Sequence, residues 1–588
     1  DNSTNEIGAA TYSAWLDRPF EGNNRSSYRT YGSFTQAESR NLSWLARLQA
    51  NYGITLAEKH RINAIAGTEV RYNRASSMGS KMYGYDPLTG QHNTPLYLGT
   101  GSNGALTAAE RDSYRSIING LNTYSKIENA FASFYSALDY VYNNKYVWNA
   151  TVRSDGSNNF GSKEQFNLTW STGLAWNMDE EAFFNAIKPV INRATIRIST
   201  GLTGGVNKSV YPQIMMDYGN YYRTVGDDNY RVGTIKNAPN PKLRWEHTHD
   251  LNASLDMGFL RDRIGLYISV YRRRGYDMIT SVRTVSTTGF TSQSYNTTEQ
   301  INQGFEVSLN ATPIKTKKMV WGVSGNISYN QNFISKYDAP NNGFSTFGSI
   351  LLDYPQGAII TGKNTGIDPF TGYYTFKLRP DAVINNSSDW RNYRNYLYYR
   401  GTANAPWNGG FSTHVSYNRF TLSISSSFSL GAKISSEIKS PISYNSINAS
   451  TQNYPQTQRS DLYTAHLNKP KEAAHRWTEA NPATNGYPRL VDSRGKRLNI
   501  DLGLPNGSSS ITEGVFYENG SYFKLGSATL SYSVPEKITR GLGLTSLGAA
   551  ITGSNLFIIT KYSGLNPETP GAVYPISRSF SFTINVGL

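Results

Sequence analysis

His247 and His249 stand two residues apart, a spacing that puts both imidazoles on one face of a strand. Metal centres take three or four ligands, and the chain has no cysteine and no further histidine near this pair. The two histidines therefore read as hydrogen-bonded polar residues, and no metal is expected. Asp227 and Asp228 are adjacent in a tyrosine-rich stretch, where a carboxylate pair can hold calcium or share a proton; a solvated loop tip explains it as well. Glycoside hydrolysis needs two carboxylates facing one sugar, a separation that sequence does not display. The Gly-x-Ser-x-Gly elbow, the phosphate-cradling glycine loop, the dinucleotide fingerprint and the His-Glu-x-x-His helix are missing. No catalytic residue and no cofactor are expected, and the chain does not read as an enzyme.

Aromatic side chains are the stronger candidates for meeting a ligand. Trp390, Tyr393, Tyr396, Tyr398 and Trp407 crowd into residues 333–408, and Tyr454, Tyr463 and Trp477 into 432–520. Rigid rings with polar tips bury area at low entropic cost, which suits a sugar, a peptide or a partner protein. The same rings would also serve to fold these segments onto one another, and both readings stand. Connections beyond about 12 to 15 residues are usually functional or mobile, so both segments are candidate ligand- or lid-facing loops.

The elements that would carry such loops have a period of two. Phe420, Leu422, Ile424, Phe428 and Leu430 alternate with Thr421, Ser423, Ser425, Ser427 and Ser429. The same dyad returns in Phe166, Leu168, Trp170, Leu174 and Trp176, and in Phe580, Phe582, Ile584, Val586 and Leu588. Each segment thus has an apolar face and a face rich in hydroxyls or amides. A soluble sandwich hides the apolar face, whereas a membrane barrel turns it to lipid and keeps a polar lumen.

Composition favours the barrel. Only 17% of residues are charged and 38% hydrophobic, with 52 Gly and 42 Tyr in 588 residues, which fits many strands, glycine-rich turns and aromatic girdles. A secreted Tyr/Asn-rich adhesin or sugar-binding β-array has a similar composition and stays open. No window approaches the roughly 20 apolar residues of a membrane helix, but strands of about 9 to 11 alternating residues also span a bilayer. The net charge of +15 raises nucleic acid or anionic lipid as partners. The basic residues are scattered, with the densest runs, Lys315 to Lys318 and Arg272 to Arg274, beside strands, and no nucleic-acid module is present. Nucleic acid is not expected; attraction to lipid and lipopolysaccharide of an outer membrane or to acidic substrates, and a mere compositional habit of the source organism, all stay open.

About sixteen strands are predicted, near 25–36, 43–52, 61–73, 131–142, 146–155, 165–177, 194–201, 247–257, 264–275, 300–310, 320–332, 409–417, 420–431, 521–534, 548–560 and 577–588. The gaps 74–130, 202–246, 276–299, 333–408 and 432–520 are long and alternate with short ones. Outer-membrane barrels have this asymmetry, short turns at one rim and long extracellular loops at the other. With the C-terminal strand ending in the periplasm, all five long gaps fall outside. Residues 178–193 read as a short amphipathic helix in a periplasmic turn.

Short motifs along these segments resemble the SusC/RagA family of TonB-dependent outer-membrane transporters of Bacteroidota. They comprise Arg153-Ser154-Asp155-Gly156-Ser157-Asn158-Asn159-Phe160-Gly161, Glu181-Ala182-Phe183, Asn240-Pro241-Lys242-Leu243-Arg244-Trp245-Glu246 and Asn302-Gln303-Gly304-Phe305-Glu306. Further on stand Gly366-Ile367-Asp368-Pro369-Phe370-Thr371-Gly372, Arg476-Trp477, Tyr487-Pro488-Arg489-Leu490, Phe523-Lys524-Leu525 through Tyr532-Ser533-Val534-Pro535, Gly553-Ser554-Asn555-Leu556-Phe557, and Tyr562-Ser563-Gly564 through Pro567-Glu568. Each is weak alone, but their order and spacing run through nearly the whole chain from about residue 40.

The resemblance implies an all-β transmembrane antiparallel barrel of about 22 strands. It further implies an N-terminal plug, a TonB box, and a SusD-like surface lipoprotein acting as a hinged lid. The implied activity is energised import of oligomeric nutrients, glycans or peptides. An open arc of sixteen strands would leave unpaired backbone in lipid. Residues 1–588 are therefore expected to be the C-terminal portion of such a barrel, with the plug, the TonB box and roughly six strands outside them. Asp1-Asn2-Ser3-Thr4 has no leader character, as for a processed or partial chain. A SusC-like barrel recruited as a non-transporting scaffold is the alternative.

Overall fold

The computed structural model describes residues 2–13, 32–85, 122–158, 160, 165–205, 214–217, 222–225, 228–231, 234–237, 239–284, 287, 289–290, 292–337, 352–361, 363–370, 372, 374–377, 379, 398–435, 474–482, 517–570, 572 and 574–587. The chain begins with β1 (Asn2–Ser13), β2 (Gly32–Leu56), β3 (His60–Tyr85), β4 (Asn122–Tyr142), β5 (Tyr146–Ser157), β6 (Phe166–Asn177) and β7 (Ile191–Gly205). A loop then carries β8 (Met215–Asp217), β9 (Tyr222–Val225), β10 (Asp228–Arg231) and β11 (Thr234–Asn237). The main sheet resumes with β12 (Glu246–Phe259), β13 (Ile264–Arg283), β14 (Ser292–Lys315) and β15 (Met319–Tyr337). A second loop holds β16 (Ala358–Thr361), β17 (Lys363–Ile367), β18 (Tyr374–Lys377) and β19 (Tyr398–Thr402). Next come β20 (Trp407–Tyr417), β21 (Phe420–Leu430), β22 (Lys433–Ser435), β23 (Tyr517–Asn519) and β24 (Tyr522–Ser533). Helix α1 (Glu536–Gly541) leads to β25 (Ser546–Thr560) and β26 (Ser579–Gly587).

Sixteen of these strands form one antiparallel sheet, ordered β1 to β7, β12 to β15, β20, β21, β24, β25 and β26, so each wall strand lies beside the next in sequence. The other strands pair two by two within the loops. One rim is made of tight turns. Asn143 and Asn144, with φ of 49° and 57°, close the β4–β5 hairpin in the left-handed conformation that asparagine tolerates best among residues with a Cβ. Asn418, with φ of 54°, does the same between β20 and β21. The opposite rim receives all the long connections, as the alternating gap lengths predict.

Several expected boundaries are corrected. The sheet begins at Asn2–Ser13 and not at 25–36, most of which lies outside the described residues, while 43–52 is only the middle of the 25-residue β2. The long gap at 276–299 is mostly strand: β13 and β14 continue as a hairpin up to residues 284–291. Past the apolar segment Met278, Ile279 and Val282 are mixed with polar residues without a period of two, so alternation vanishes, but the backbone ladder continues as far as Arg283 opposite Ser292. The expected helix at 178–193 is two 3₁₀ turns, Met178–Glu180 and Ala182–Ala186, with Phe184 buried beneath them.

The register extends each dyad across the sheet. Tyr417, Phe420, Tyr532 and Ala549 are successive partners on one face, whereas Ser416, Thr421, Ser531 and Ala550 are partners on the other. The burial is inverted relative to a soluble sheet. Leu48 is 75% exposed and Phe580 73%, while Glu69 is 6% and Ser133 2% exposed. A face of exposed leucine, phenylalanine and tryptophan continuous over many strands is far beyond the apolar patch of an ordinary soluble monomer. Such a sheet needs an apolar solvent outside it.

Candidate polar wall and loop roots

Charge on the buried polar face concentrates between β2 and β5. The Arg47 guanidinium donates to Glu69 Oε2 through Nε (2.9 Å) and its terminal nitrogen (2.5 Å). Arg153 lies 3.8 Å from the other Glu69 oxygen, donates to Asp155 Oδ1 at 2.6 Å and to Ser133 Oγ at 2.8 Å, and stacks over Tyr135 at 5.5 Å. The Tyr135 hydroxyl donates to Gln49 at 2.9 Å. Four strands are thereby tied through side chains, and the buried carboxylate is answered by two cations, as burial requires. Gly67 makes this possible: a Cβ there would stand 2.5 Å from the Tyr135 hydroxyl oxygen and 2.8 Å from the Leu48 carbonyl.

A second set occupies the same face on β12 to β15. Arg273 donates to Asp250 at 2.6 Å and covers the Tyr271 ring at 5.3 Å; the Tyr271 hydroxyl donates to Asn330 at 2.9 Å. Farther along, the face carries small hydroxyls. Ser324 and Ser412 lie 2.5 Å apart, Ser416 and Thr421 2.9 Å, and Thr529 and Thr552 3.0 Å.

The loop roots are packed by the recurrent motifs. Phe160 is buried and stacks on Trp245 at 4.8 Å, joining the motif after β5 to the one before β12, and Leu243 is buried beside them in sequence. Asn296 Nδ2 donates to the Arg244 and Asp277 carbonyls, and Arg244 pairs with Asp277 at 2.5 Å. Asp368 folds the next turn by accepting from Phe370 N (2.9 Å) through its side chain and from Gly372 N (2.8 Å) through its carbonyl. Ala358, Ile359 and Ile360 of β16 are buried, forming a small apolar core in that loop. Behind it, burial pushes the Tyr399 hydroxyl pKa up, with Tyr354 adding to the shift.

At the turn rim, Glu181 accepts from Lys145 (2.7 Å), the Tyr146 hydroxyl (2.7 Å) and Trp176 Nε1 (3.3 Å). These bonds, Lys145's first, hold its carboxyl below the usual range.

Trp390, Tyr393, Tyr396, Tyr454 and Tyr463 lie outside the described residues. Tyr398 opens β19, opposite Thr361. Trp477 is buried, with its indole N–H donating to the Pro369 carbonyl at 2.9 Å, so it braces the Asp368 turn. Trp407 stands on the apolar face, packed against Tyr329 (4.7 Å) and Phe305 (5.7 Å). His247 faces Asn167 (2.9 Å) and Asp277 (3.5 Å), and His249 faces Thr200 (3.2 Å). Asp227 lies outside the described residues, and Asp228 begins β10. The Arg47–Glu69–Arg153–Asp155 cluster was not anticipated. Its signal was the charge at odd positions of segments whose even positions are apolar, such as Arg47 between Ala46 and Leu48.

Residues 1–433 match the family described as TonB dependent receptor-like, beta-barrel. Among curated proteins, the chain is similar to TonB-dependent receptor SusC of Bacteroides thetaiotaomicron, 27% identical over 489 residues, covering 78% of this chain and 44% of that protein. It is also similar to TonB-dependent receptor P3 of Formosa agariphila, 24% identical over 552 residues, covering 88% and 51%. The chain spans about half the length of the curated relatives it matches. Among solved structures it resembles the RagAB peptide transporter, with a TM-score of 0.74, 21% identity, and coverage of 100% of this chain and 59% of that one. The RagAB peptide importer in its 'open-open' state gives a TM-score of 0.75 at 22% identity, covering 100% and 58%. Identity at that level shows the fold alone.

Proposed function

Because the chain belongs to the TonB-dependent receptor-like β-barrel family of the outer membrane, we propose that it forms wall and loops of an active importer of oligomeric nutrients. The observation that carries this reading is the inverted sheet: exposed apolar rows on one face, and on the other a buried polar lining with ion pairs. A polar lining inside an apolar sleeve gives hydrophilic solutes a path across the membrane. The ligand class is oligosaccharide or peptide, and the peptide named for the RagAB structures supports the second. Residues 1–588 supply sixteen wall strands, and the plug, the TonB contact and the remaining wall come from the part of the relatives' length that this chain does not span. A SusD-like lipoprotein covers the loop rim, meeting segments 333–408 and 432–520, and the aromatics Trp390, Tyr393, Tyr396, Tyr398, Tyr454 and Tyr463 belong to that ligand- and lid-facing surface, while the buried Trp477 supports it from within. Trp407 shares these loops' root on the apolar side.

The test uses the full-length protein in its native host. Deleting 381–397 or 440–470 is expected to lower uptake of a labelled oligomer at least tenfold and to reduce co-purification of the lipoprotein. Unchanged uptake and unchanged co-purification in both deletions would remove the loops from the mechanism. Uptake that persists when TonB is removed would overturn active import, and an intact wild-type complex with no uptake of any oligomer would favour the scaffold.

A further inference from the structure

On β13 to β15 the apolar face carries three neighbouring polar side chains that have no partner among the described residues. Arg272 on β13, Gln303 on β14 and Gln331 on β15 are consecutive register partners, Arg272 opposite Gln303 and Gln303 opposite Gln331. They share a face with Val270, Phe305 and Tyr329 on the row nearer the turn rim, and with Arg274, Ile301 and Phe333 on the row nearer the loops. Adjacent strands lie about 4.8 Å apart, so the three side chains cover roughly 10 Å. Arg274 is already held by Glu299 at 2.7 Å, whereas Arg272 is exposed with no acid against it.

The height of this island is informative. Arg272 lies eight residues beyond Ile264, where β13 leaves its turn. At about 3.4 Å per residue and a strand tilt of about 40°, it stands roughly 21 Å up an apolar band about 25 Å tall. Aromatic rings flank it at the same level: Trp170 tilts over His249 on one side, and Phe305, Tyr329 and Trp407 cluster on the other. Tryptophan and tyrosine mark the boundary between hydrocarbon and headgroups. The loop rim is the outer one, so the island faces the headgroups of the outer leaflet.

We propose that Arg272, Gln303 and Gln331 form a lipid-facing anion site that holds a phosphate group of an outer-leaflet glycolipid. A guanidinium presents two parallel N–H donors to a phosphate, and two neighbouring amides add donors for its remaining oxygens or for adjacent sugar hydroxyls. Val270, Phe305 and Tyr329 on one side and Ile301 and Phe333 on the other leave the acyl chains an apolar surface to lie on, broken by Arg274, whose charge is already answered by Glu299. A neighbouring copy of the chain would need an acid to answer Arg272, and no carboxylate occupies this island's row on either side, where Leu251 is the neighbour on β12. Charge complementarity therefore selects the lipid.

The test places the full-length protein in phosphatidylcholine nanodiscs containing a small fraction of fluorescent diphosphoryl lipid A, and measures energy transfer from a donor dye at the loop rim. Enrichment of lipid A around the wild type is expected. It should fall at least fivefold in Arg272→Gln/Gln303→Leu/Gln331→Leu, and only slightly in Arg272→Lys. Dephosphorylated lipid A should show no enrichment. Since substitutions on the lipid-facing surface touch no packed core, an unchanged heat-dependent gel mobility is expected for both variants and verifies their folding. Equal enrichment in the triple variant, equal enrichment of the dephosphorylated lipid, or a dimer dissociated by the triple substitution would each overturn the proposal. Oligomer uptake is read separately, so failure here leaves the import reading untouched.

Discussion

Between β2 and β5 the polar face holds Arg47, Glu69, Arg153 and Asp155 locked together, whereas across β20, β21, β24 and β25 it holds serines, threonines and His414, with no ion pair until Lys524 meets Glu568 near the loops. Both arcs come from the same alternating pattern and the same backbone ladder. In the charged arc every partner is dictated, because a buried carboxylate left unanswered costs several kcal/mol. In the hydroxyl arc each group is donor and acceptor at once and turns to whichever neighbour or water is present. One side of the lining is therefore fixed in geometry and sign, and the other is neutral and tolerant.

The largest expected effect separates the arcs by stability. Glu69→Ala leaves Arg47 and Arg153 facing one another without their shared acid and should cost on the order of 2 kcal/mol, less than a fully buried pair because both arginines are substantially exposed. Thr529→Val removes one hydroxyl pair and should cost about 0.5 kcal/mol. Urea unfolding of the full-length protein in detergent measures both, and equal losses would erase the contrast. Next in size, Ser425→Glu with Ser427→Glu puts the charged arc's chemistry into the neutral one. Uptake of a cationic oligomer relative to a neutral one should rise about threefold to tenfold, roughly 1 kcal/mol; an unaltered ratio would mean that this arc does not meet the ligand. The smallest effect lies outside both arcs. Glu181, held below the usual carboxylate range chiefly by Lys145, stabilises the turn rim above the unfolded pKa of about 4.3, and that contribution disappears as pH falls through its lower folded value. Glu181→Gln should thus be less stable than wild type at neutral pH, and the gap should close below about pH 4. A gap that persists at pH 3 would assign the effect to packing.

The wall was legible because its strands are half apolar and half polar, a pattern that Phe420 to Leu430 or Phe580 to Val586 carry without help from the rest of the chain. The resemblance to the SusC/RagA family was legible in short motifs far apart in sequence, and two of them meet where Phe160 stacks on Trp245 at the loop roots. What escaped were features set by pairing rather than by type. The upper parts of β13 and β14 lack alternation since Met278, Ile279 and Val282 are interspersed with polar residues on both faces, so only the backbone register reveals them. Arg47, Glu69 and Arg153 are unremarkable in sequence, 22 and 84 residues apart, and only the ladder brings them side by side. Trp407 was grouped with the loop aromatics by its neighbours in sequence, but its parity in β20 sets it opposite Tyr329 on the apolar face.

The strictly sequential strand order bears on how the molecule assembles. Every tight turn joins two strands that are also partners, so β2–β3, β4–β5, β12–β13, β14–β15 and β20–β21 are units whose ends meet after very little chain has been ordered. The seams β3/β4, β7/β12, β15/β20 and β21/β24 close only after long connections have been looped back. Loop closure grows slowly with length, about 0.6 kcal/mol per doubling, so these seams are delayed more than they are weakened. Contacts this local are the ones expected to form earliest, so the hairpins should precede the seams in assembly.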